Sequence, residues 1–141
     1  MPRMTEHEWR EFLSVGTRTG KLATTRRDGR PHVVPIWFVV DGQDIVFNTG
    51  ADSLKGRALA RTKQASLCVD EEHAPYAFVA ISGSVTLSTD LDEMLPWATR
   101  IAARYMGEPM AEHYGRRNAV DGELLVRLHI ENVLAVGHVS D

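Results

Sequence analysis

Alternating apolar and polar positions dominate the chain and are interrupted in three places by residues spaced for a helix. Thr5 followed by Glu8 forms a capping box, and Trp9, Phe12 and Leu13 lay an apolar stripe on a short helix that Gly16 can end. The pattern then turns to strands. Lys21 to Arg26 and Pro31 to Val40 flank Arg27-Asp-Gly-Arg30, and Ile45 to Asn48 follows a second Asp-Gly at Asp41-Gly42; both dipeptides predict hairpins, hence a three-stranded meander. A second helix starts near Ser53, with Leu54, Ala58 and Leu59 inward, ahead of a strand from Ala65 to Asp70. From Tyr76 to Ser88, Ile81, Gly83, Val85 and Leu87 alternate with Ser82, Ser84, Thr86 and Ser88, as a half-buried antiparallel strand requires. Leu91, Met94, Leu95, Trp97, Ile101 and Tyr105 mark a long helix over Asp90 to Met106, which Pro96 must kink unless it marks the true first turn. A polar, irregular stretch with a single helical turn is expected after Gly107. Glu123 to Ile130 and Val133 to Val139 close the chain as a last hairpin. Six or seven short strands with helices in the gaps predict a mainly β fold, an antiparallel barrel flanked by helices and spanning residues 1–141 as one domain.

The segment His32 to Val40 departs from simple alternation, because it is apolar on both faces. His32, Val34, Ile36, Phe38 and Val40 point one way, and Val33, Pro35, Trp37 and Val39 the other. A barrel strand needs one apolar face, so a helix, another subunit or a flat apolar ligand has to cover the second. Pro35 removes a ladder donor and therefore belongs at a sheet edge or a bulge. Trp37 fits either a core position or a stacking one.

Composition narrows the partners. With 43% hydrophobic and 25% charged residues and no apolar run long enough to cross a bilayer, the chain is expected to be a cytoplasmic protein with no membrane partner. A net charge of −3 argues against a general nucleic-acid binder, which needs a basic face. The single cysteine, Cys68, lies in Ser66-Leu-Cys-Val69, where a buried inert thiol is expected, and no histidine or cysteine cluster marks a metal site. Positive charge is local: Arg26, Arg27, Arg30, Lys55, Arg57 and Arg61 all fall in the first half.

Two of these cations, Lys55 and Arg57, lie in the run from Asn48 to Leu59, Asn-Thr-Gly-Ala-Asp-Ser-Leu-Lys-Gly-Arg-Ala-Leu, which leads from a strand end into a helix. Gly50 is expected to turn the backbone and Asp52 or Ser53 to cap the helix, leaving first-turn amides and the positive end of the helix dipole for an anion. Ser53 and Arg57 share a helix face, whereas Lys55 projects roughly 200° around from Ser53. One anion can meet all three only off the helix end. An ordinary capped surface helix with solvated cations satisfies the same residues.

Taken in order, Lys21-Leu-Ala-Thr24, the run Arg-Asp-Gly-Arg-Pro-His-Val-Val-Pro-Ile-Trp-Phe from Arg27 to Phe38, Ser53-x-Lys55-x-Arg57, Ala80-Ile-Ser-Gly83 and Arg104-Tyr-Met-Gly107 resemble the split β-barrel flavin-binding superfamily. Nearest in pattern are small deazaflavin-dependent oxidoreductases, relatives of pyridoxamine phosphate oxidase that use coenzyme F420. The resemblance implies a pyridoxamine phosphate oxidase-like split β-barrel and a homodimer with two cofactor sites at the subunit interface. It implies a cofactor phosphate at Ser53 and Lys55 with Thr49 and Arg57 beside them, the ring along Val34, Pro35, Ile36 and Trp37, and Tyr76 reaching in from the partner subunit. The anionic tail of F420 would suit Arg26, Arg27, Arg30, Arg57 and Arg61.

The implied activity is hydride transfer from reduced deazaflavin to an electron-poor small molecule such as an enone, a quinone or a tetrapyrrole, with the chemistry carried by the cofactor. His32, Tyr76, His113 and Tyr114 are proton-donor candidates by residue type. Two alternatives stand beside it: an FMN-binding flavin reductase of the same fold, and a non-catalytic carrier of a flavin, deazaflavin or haem. Pyridoxamine phosphate oxidase itself fits less well, since Arg127 is the only basic residue in the final hairpin.

Overall fold

Both Asp-Gly dipeptides form turns. In the structure, a computed structural model that describes residues 2–141, β1 (Gly20–Thr25) and β2 (Pro31–Ile36) pair antiparallel with Thr25 opposite Pro31, and Gly29 in the turn between them has φ 89°. The second hairpin joins β3 (Val39–Asp41) to β4 (Asp44–Gly50) through Gly42 at φ 58°. These left-handed conformations are ones glycine adopts without a Cβ clash. The amino-terminal helix α1 (Glu6–Ser14) carries the expected capping box, with the Thr5 hydroxyl accepting from the Glu8 amide. After β4 come α2 (Leu54–Thr62), β5 (Gln64–Glu71), β6 (Ala77–Ser88), α3 (Leu91–Met106), α4 (Glu108–Asn118), β7 (Glu123–His129) and β8 (Asn132–Val136).

The strands run in the order β2-β1-β5-β6-β7-β4-β3, with β8 beside β6. The two end strands of that order, β2 and β3, are joined by only Trp37 and Phe38, so the sheet must curl until its ends come together. The result is a half-barrel. β6 serves both halves: Phe78 to Ser82 pair with β8, and Val85 to Ser88 pair with β7. Gly83 sits at the changeover, where a Cβ would run into the His129 carbonyl oxygen. Inward positions of every strand but the short β3 meet in one core that includes Leu22, Ile36, Phe38, Phe47, Leu67, Ile81, Val126 and Leu128. On the outside, α3 covers β4 and β7 through Val46, Met94 and Leu125, with Val39 and Trp97 alongside. Among the described residues no helix packs on the outer face of β1, β5 and β8, where Val33 and Leu134 are exposed.

Eight strands form where six or seven are predicted, because Pro31 to Val40 is not one strand. The chain must leave one sheet end and join the other, so it breaks at Trp37-Phe38. Pro35 lies opposite Lys21 in an uninterrupted register, which makes its place a sheet edge and not a bulge. The stretch after Gly107, expected to be irregular, is an 11-residue helix. Its buried positions are the small residues Ala111 and Gly115, which leave no apolar stripe to read, and Gly115 lies against Thr99 so closely that a Cβ would clash. Pro96 stands inside α3, not at its start. Cys68 is half-buried on the outer sheet face, not enclosed, and desolvation holds its thiol above the ordinary range. Among the described residues no helix is long and apolar enough to cross a membrane.

Candidate functional site

The turn from β4 into α2 is built on Ser53. Its Oγ accepts from the Gly56 amide at 3.0 Å and donates to the Gly50 carbonyl at 2.7 Å, and its own amide donates to the same carbonyl at 3.2 Å. The hydroxyl is therefore committed to capping, while the Leu54 and Lys55 amides of the first turn lack intrahelical acceptors, as helix geometry dictates. Gly56, not Gly50, is the glycine this turn requires. Gly50 continues β4 opposite Glu123, whereas a Cβ on Gly56 would be driven into the Gly50 and Ala51 carbonyl oxygens. Gly56→Ala is accordingly expected to cost about 1–3 kcal/mol, the usual range for forced overpacking. Urea denaturation checks this, and a loss under a few tenths of that would mean the loop moves freely.

Pro35, Ile36 and Trp37 of the β2–β3 corner, Thr49 of β4 and Lys55 of α2 line one cleft of about 450 Å³. The structure thus brings together residues from three segments named by the sequence. Lys55 is half-buried there and forms no ion pair among the described residues. Thr49 is buried with Oγ1 3.4 Å from Ser53 Oγ. Ile36 borders the cleft but belongs to the barrel core, and Val34, half-buried on the same inward side, does not border it. Tyr76 lies elsewhere on the chain, exposed on the β5–β6 loop with φ 60° and bordering a groove with Phe12 and Val15.

Sequence reasoning missed Asn48, Asn118 and Glu123, which line the same cleft. Asn48 Nδ2 donates to Glu123 Oε1 at 2.9 Å and to the Asn118 carbonyl at 3.3 Å, tying β4, β7 and the end of α4 together. Asn48 was legible as the polar interruption of Ile45-Val-Phe. Glu123 was not, since only the β4–β7 register places it opposite Gly50.

The corner is pinned from α3. The Tyr105 hydroxyl donates to the Arg18 carbonyl at 2.9 Å and accepts from the Phe38 amide at 3.4 Å, and its ring stacks on Trp37. Burial raises the Tyr105 pKa, so the phenol stays neutral across physiological pH. Of the candidate proton donors, His32 has a buried, unpartnered Nδ1, while His113 and Tyr114 meet edge-on on α4. None of the four lines the cleft.

A second cleft, of about 490 Å³, opens between the β1–β2 turn and α2, lined by Arg26, Arg27, Arg57 and Arg61. Asp28 also borders it but is held by Arg30 at 2.7 Å, so Arg30 is removed from the group of free cations. Arg61 donates to the Thr25 carbonyl, and none of the four arginines has a carboxylate partner among the described residues. The angular separation on α2 has a consequence here: Lys55 serves the first cleft and Arg57 the second.

The family profile described as pyridoxamine 5'-phosphate oxidase matches residues 5–137. A conserved hypothetical protein from Mycobacterium tuberculosis superposes with a TM-score of 0.83 at 22% identity, over 97% of this chain and 87% of that one. An F420 reductase superposes with a TM-score of 0.69 at 24% identity, over 87% and 94% of the two chains. The heme storage protein HutZ from Vibrio cholerae gives 0.74 at 18% identity, over 96% and 98%. At these identities the likeness is one of fold. No protein of curated function matches the sequence significantly.

Proposed function

Because this chain belongs to the pyridoxamine 5'-phosphate oxidase family, whose fold binds flavin-type rings, we propose that it is a coenzyme F420-dependent reductase acting on an electron-poor small molecule. The observation that carries this reading is the pair of neighbouring clefts. One offers an edge strand and an indole beside a lysine, and the other offers four arginines, all five cations lacking a carboxylate partner among the described residues. A ring with a phosphate fits the first cleft, and a tail of several carboxylates suits the second.

The donor set supports the assignment. Lys55 and the first-turn amides of α2 would hold the phosphate, Thr49 and the Ser53 cap would fix the loop beside it, and Pro35 to Trp37 would border the ring. Arg26, Arg27, Arg57 and Arg61 would hold the tail in a protein whose net charge is otherwise −3. When bound, the reduced deazaflavin supplies a hydride to an electron-poor double bond or quinone-like acceptor. The chain's part is to bind, to orient and to exclude water. With no histidine or tyrosine of the candidate set in the cleft, the accompanying proton would come from solvent. Pyridoxamine phosphate oxidase activity is not part of the proposal, since Arg127 is engaged by Asp41 at 3.0 Å and Asp44 at 3.1 Å.

A homodimer belongs to the same reading. Val33 is 63% and Leu134 40% exposed on the uncovered sheet face, where a second copy would bury them. Tyr76, left-handed and exposed, would then stand at the rim of the partner's site.

The absence of all four candidate donors from the lining of the cleft favours one other reading, a carrier that holds the cofactor without turning it over. A titration with coenzyme F420 and separately with FMN, at low and moderate salt, tests both. Tight, salt-sensitive preference for F420 with turnover of an added quinone or enone is expected. Preference for FMN would overturn the cofactor assignment, and tight binding without turnover of any acceptor would establish the carrier.

A further inference from the structure

Trp37 does not stand alone at the corner between β2 and β3. Its indole lies parallel to the Tyr105 ring, with centroids 5.1 Å apart and planes 5° apart. Stacked aromatic pairs attract, but a surface indole would still be free to swing if its partner were. Tyr105 is not free. It occupies the last turn of α3, and its hydroxyl is fixed on both sides, to the Arg18 carbonyl at 2.9 Å and from the Phe38 amide at 3.4 Å. The neighbouring Arg104 guanidinium lies 5.0 Å from the Tyr105 ring centroid and donates to the Phe38 carbonyl at 2.8 Å. Trp37 is 38% exposed and lines the cleft with Thr49 and Lys55, whereas Tyr105 does not border it.

We propose that Tyr105 is a positioning residue for binding: it holds Trp37 at a fixed angle, and the face of the indole away from Tyr105 is the wall on which a planar conjugated ring stacks. This deepens the reading given above and rests on its placement of the ligand ring in the Lys55 cleft. It also sets the ligand class. A flat heterocycle anchored at its anionic end gains from a rigid wall, because no rotamer freedom is lost on binding, whereas a saturated or branched ligand gains nothing from a plane.

A double-mutant cycle on Trp37 and Tyr105 tests the coupling, with coenzyme F420, FMN and haemin as probes and the dissociation constant as readout. Trp37→Leu and Tyr105→Leu are each expected to weaken binding about tenfold, and the double variant to bind no more weakly than Trp37→Leu alone. Tyr105→Phe keeps the stacked ring but loses both hydroxyl anchors, and is expected to bind about threefold more weakly than the parent chain, between it and Tyr105→Leu. A merely structural role for Tyr105 would lower affinity equally in the Trp37→Leu background, so additive losses overturn the proposal, as does unchanged affinity in Tyr105→Leu. Should Tyr105→Leu fail to fold, Tyr105→Met carries the cycle. Coupling seen with FMN or haemin but no binding of F420 would sink the F420 assignment and leave the wall standing. F420 binding without coupling would do the reverse, and binding of none of the probes would overturn both.

Discussion

Lys55→Ala is expected to weaken coenzyme F420 binding by about 1.5–3 kcal/mol, the range for a charge-assisted hydrogen bond, and to leave folding unchanged. That corresponds to a loss of about 10- to 150-fold in affinity. Lys55 has no carboxylate partner among the described residues, so its removal strands no buried opposite charge. It sits in the same cleft as Pro35 and Trp37 and at the open end of α2, where the helix dipole adds to its own charge. The effect is expected to shrink as salt rises, since part of it is Coulombic and screened over about 8–10 Å at physiological ionic strength. Isothermal titration at two salt concentrations reads both quantities. Unchanged affinity at low salt would remove Lys55 from the site. Arg57→Ala makes the comparison sharper: because Arg57 lines the neighbouring cleft, its loss should weaken F420 far more than FMN, which has no polyanionic tail to place there.

The Ser53-x-Lys55-x-Arg57 spacing gave the split of cations between two directions from helix geometry alone, and the structure puts Lys55 and Arg57 in different clefts. The two-sided apolarity of His32 to Val40 called for a cover on the second face; α3 supplies one at Val39, whereas Val33 stays exposed. Ile36 was legible as inward-pointing, although the resemblance also sets the ring along it. Its side chain is part of the barrel core, so bulk introduced there would disturb folding and would not report on ligand binding. What could not be read came from long-range pairing. Glu123 enters the cleft because β7 pairs with β4, and Arg104 and Tyr105 reach the corner from the far end of α3, 66 and 67 residues along the chain from Phe38. Nor could α4 be read, because its contact with α3 is made by alanine and glycine, which carry almost no periodic hydrophobic signal.

Arg104→Ala is expected to be the most destabilising single change at the corner, by about 2–4 kcal/mol, through loss of charge-assisted hydrogen bonds that are not independent of one another. The guanidinium fork reaches three segments at once: Nη2 donates to the Leu13 carbonyl at 2.7 Å, Nε to Gly16 at 2.9 Å and Nη1 to Phe38 at 2.8 Å. Two of these acceptors lie at or just past the end of α1, where the helix dipole is negative, so a cation is favoured there without a carboxylate. Desolvation lowers the Arg104 pKa from its ordinary value, but an arginine starts so high that it stays charged at any pH at which the protein is folded. Removing it leaves part-buried carbonyls without a donor and frees the Trp37-Phe38 link, the one covalent connection between the two sheet ends. Arg104→Lys should recover only part of the loss, since an ammonium cannot match three carbonyls addressed by a planar fork. Chemical denaturation compares the three chains, and a loss below about 1 kcal/mol for Arg104→Ala would mean that water replaces the guanidinium at these carbonyls. If the corner instead depends on Arg104 as described, ligand affinity in Arg104→Ala should fall even where the protein is fully folded, because the angle of the Tyr105–Trp37 pair is set from the same turn of α3.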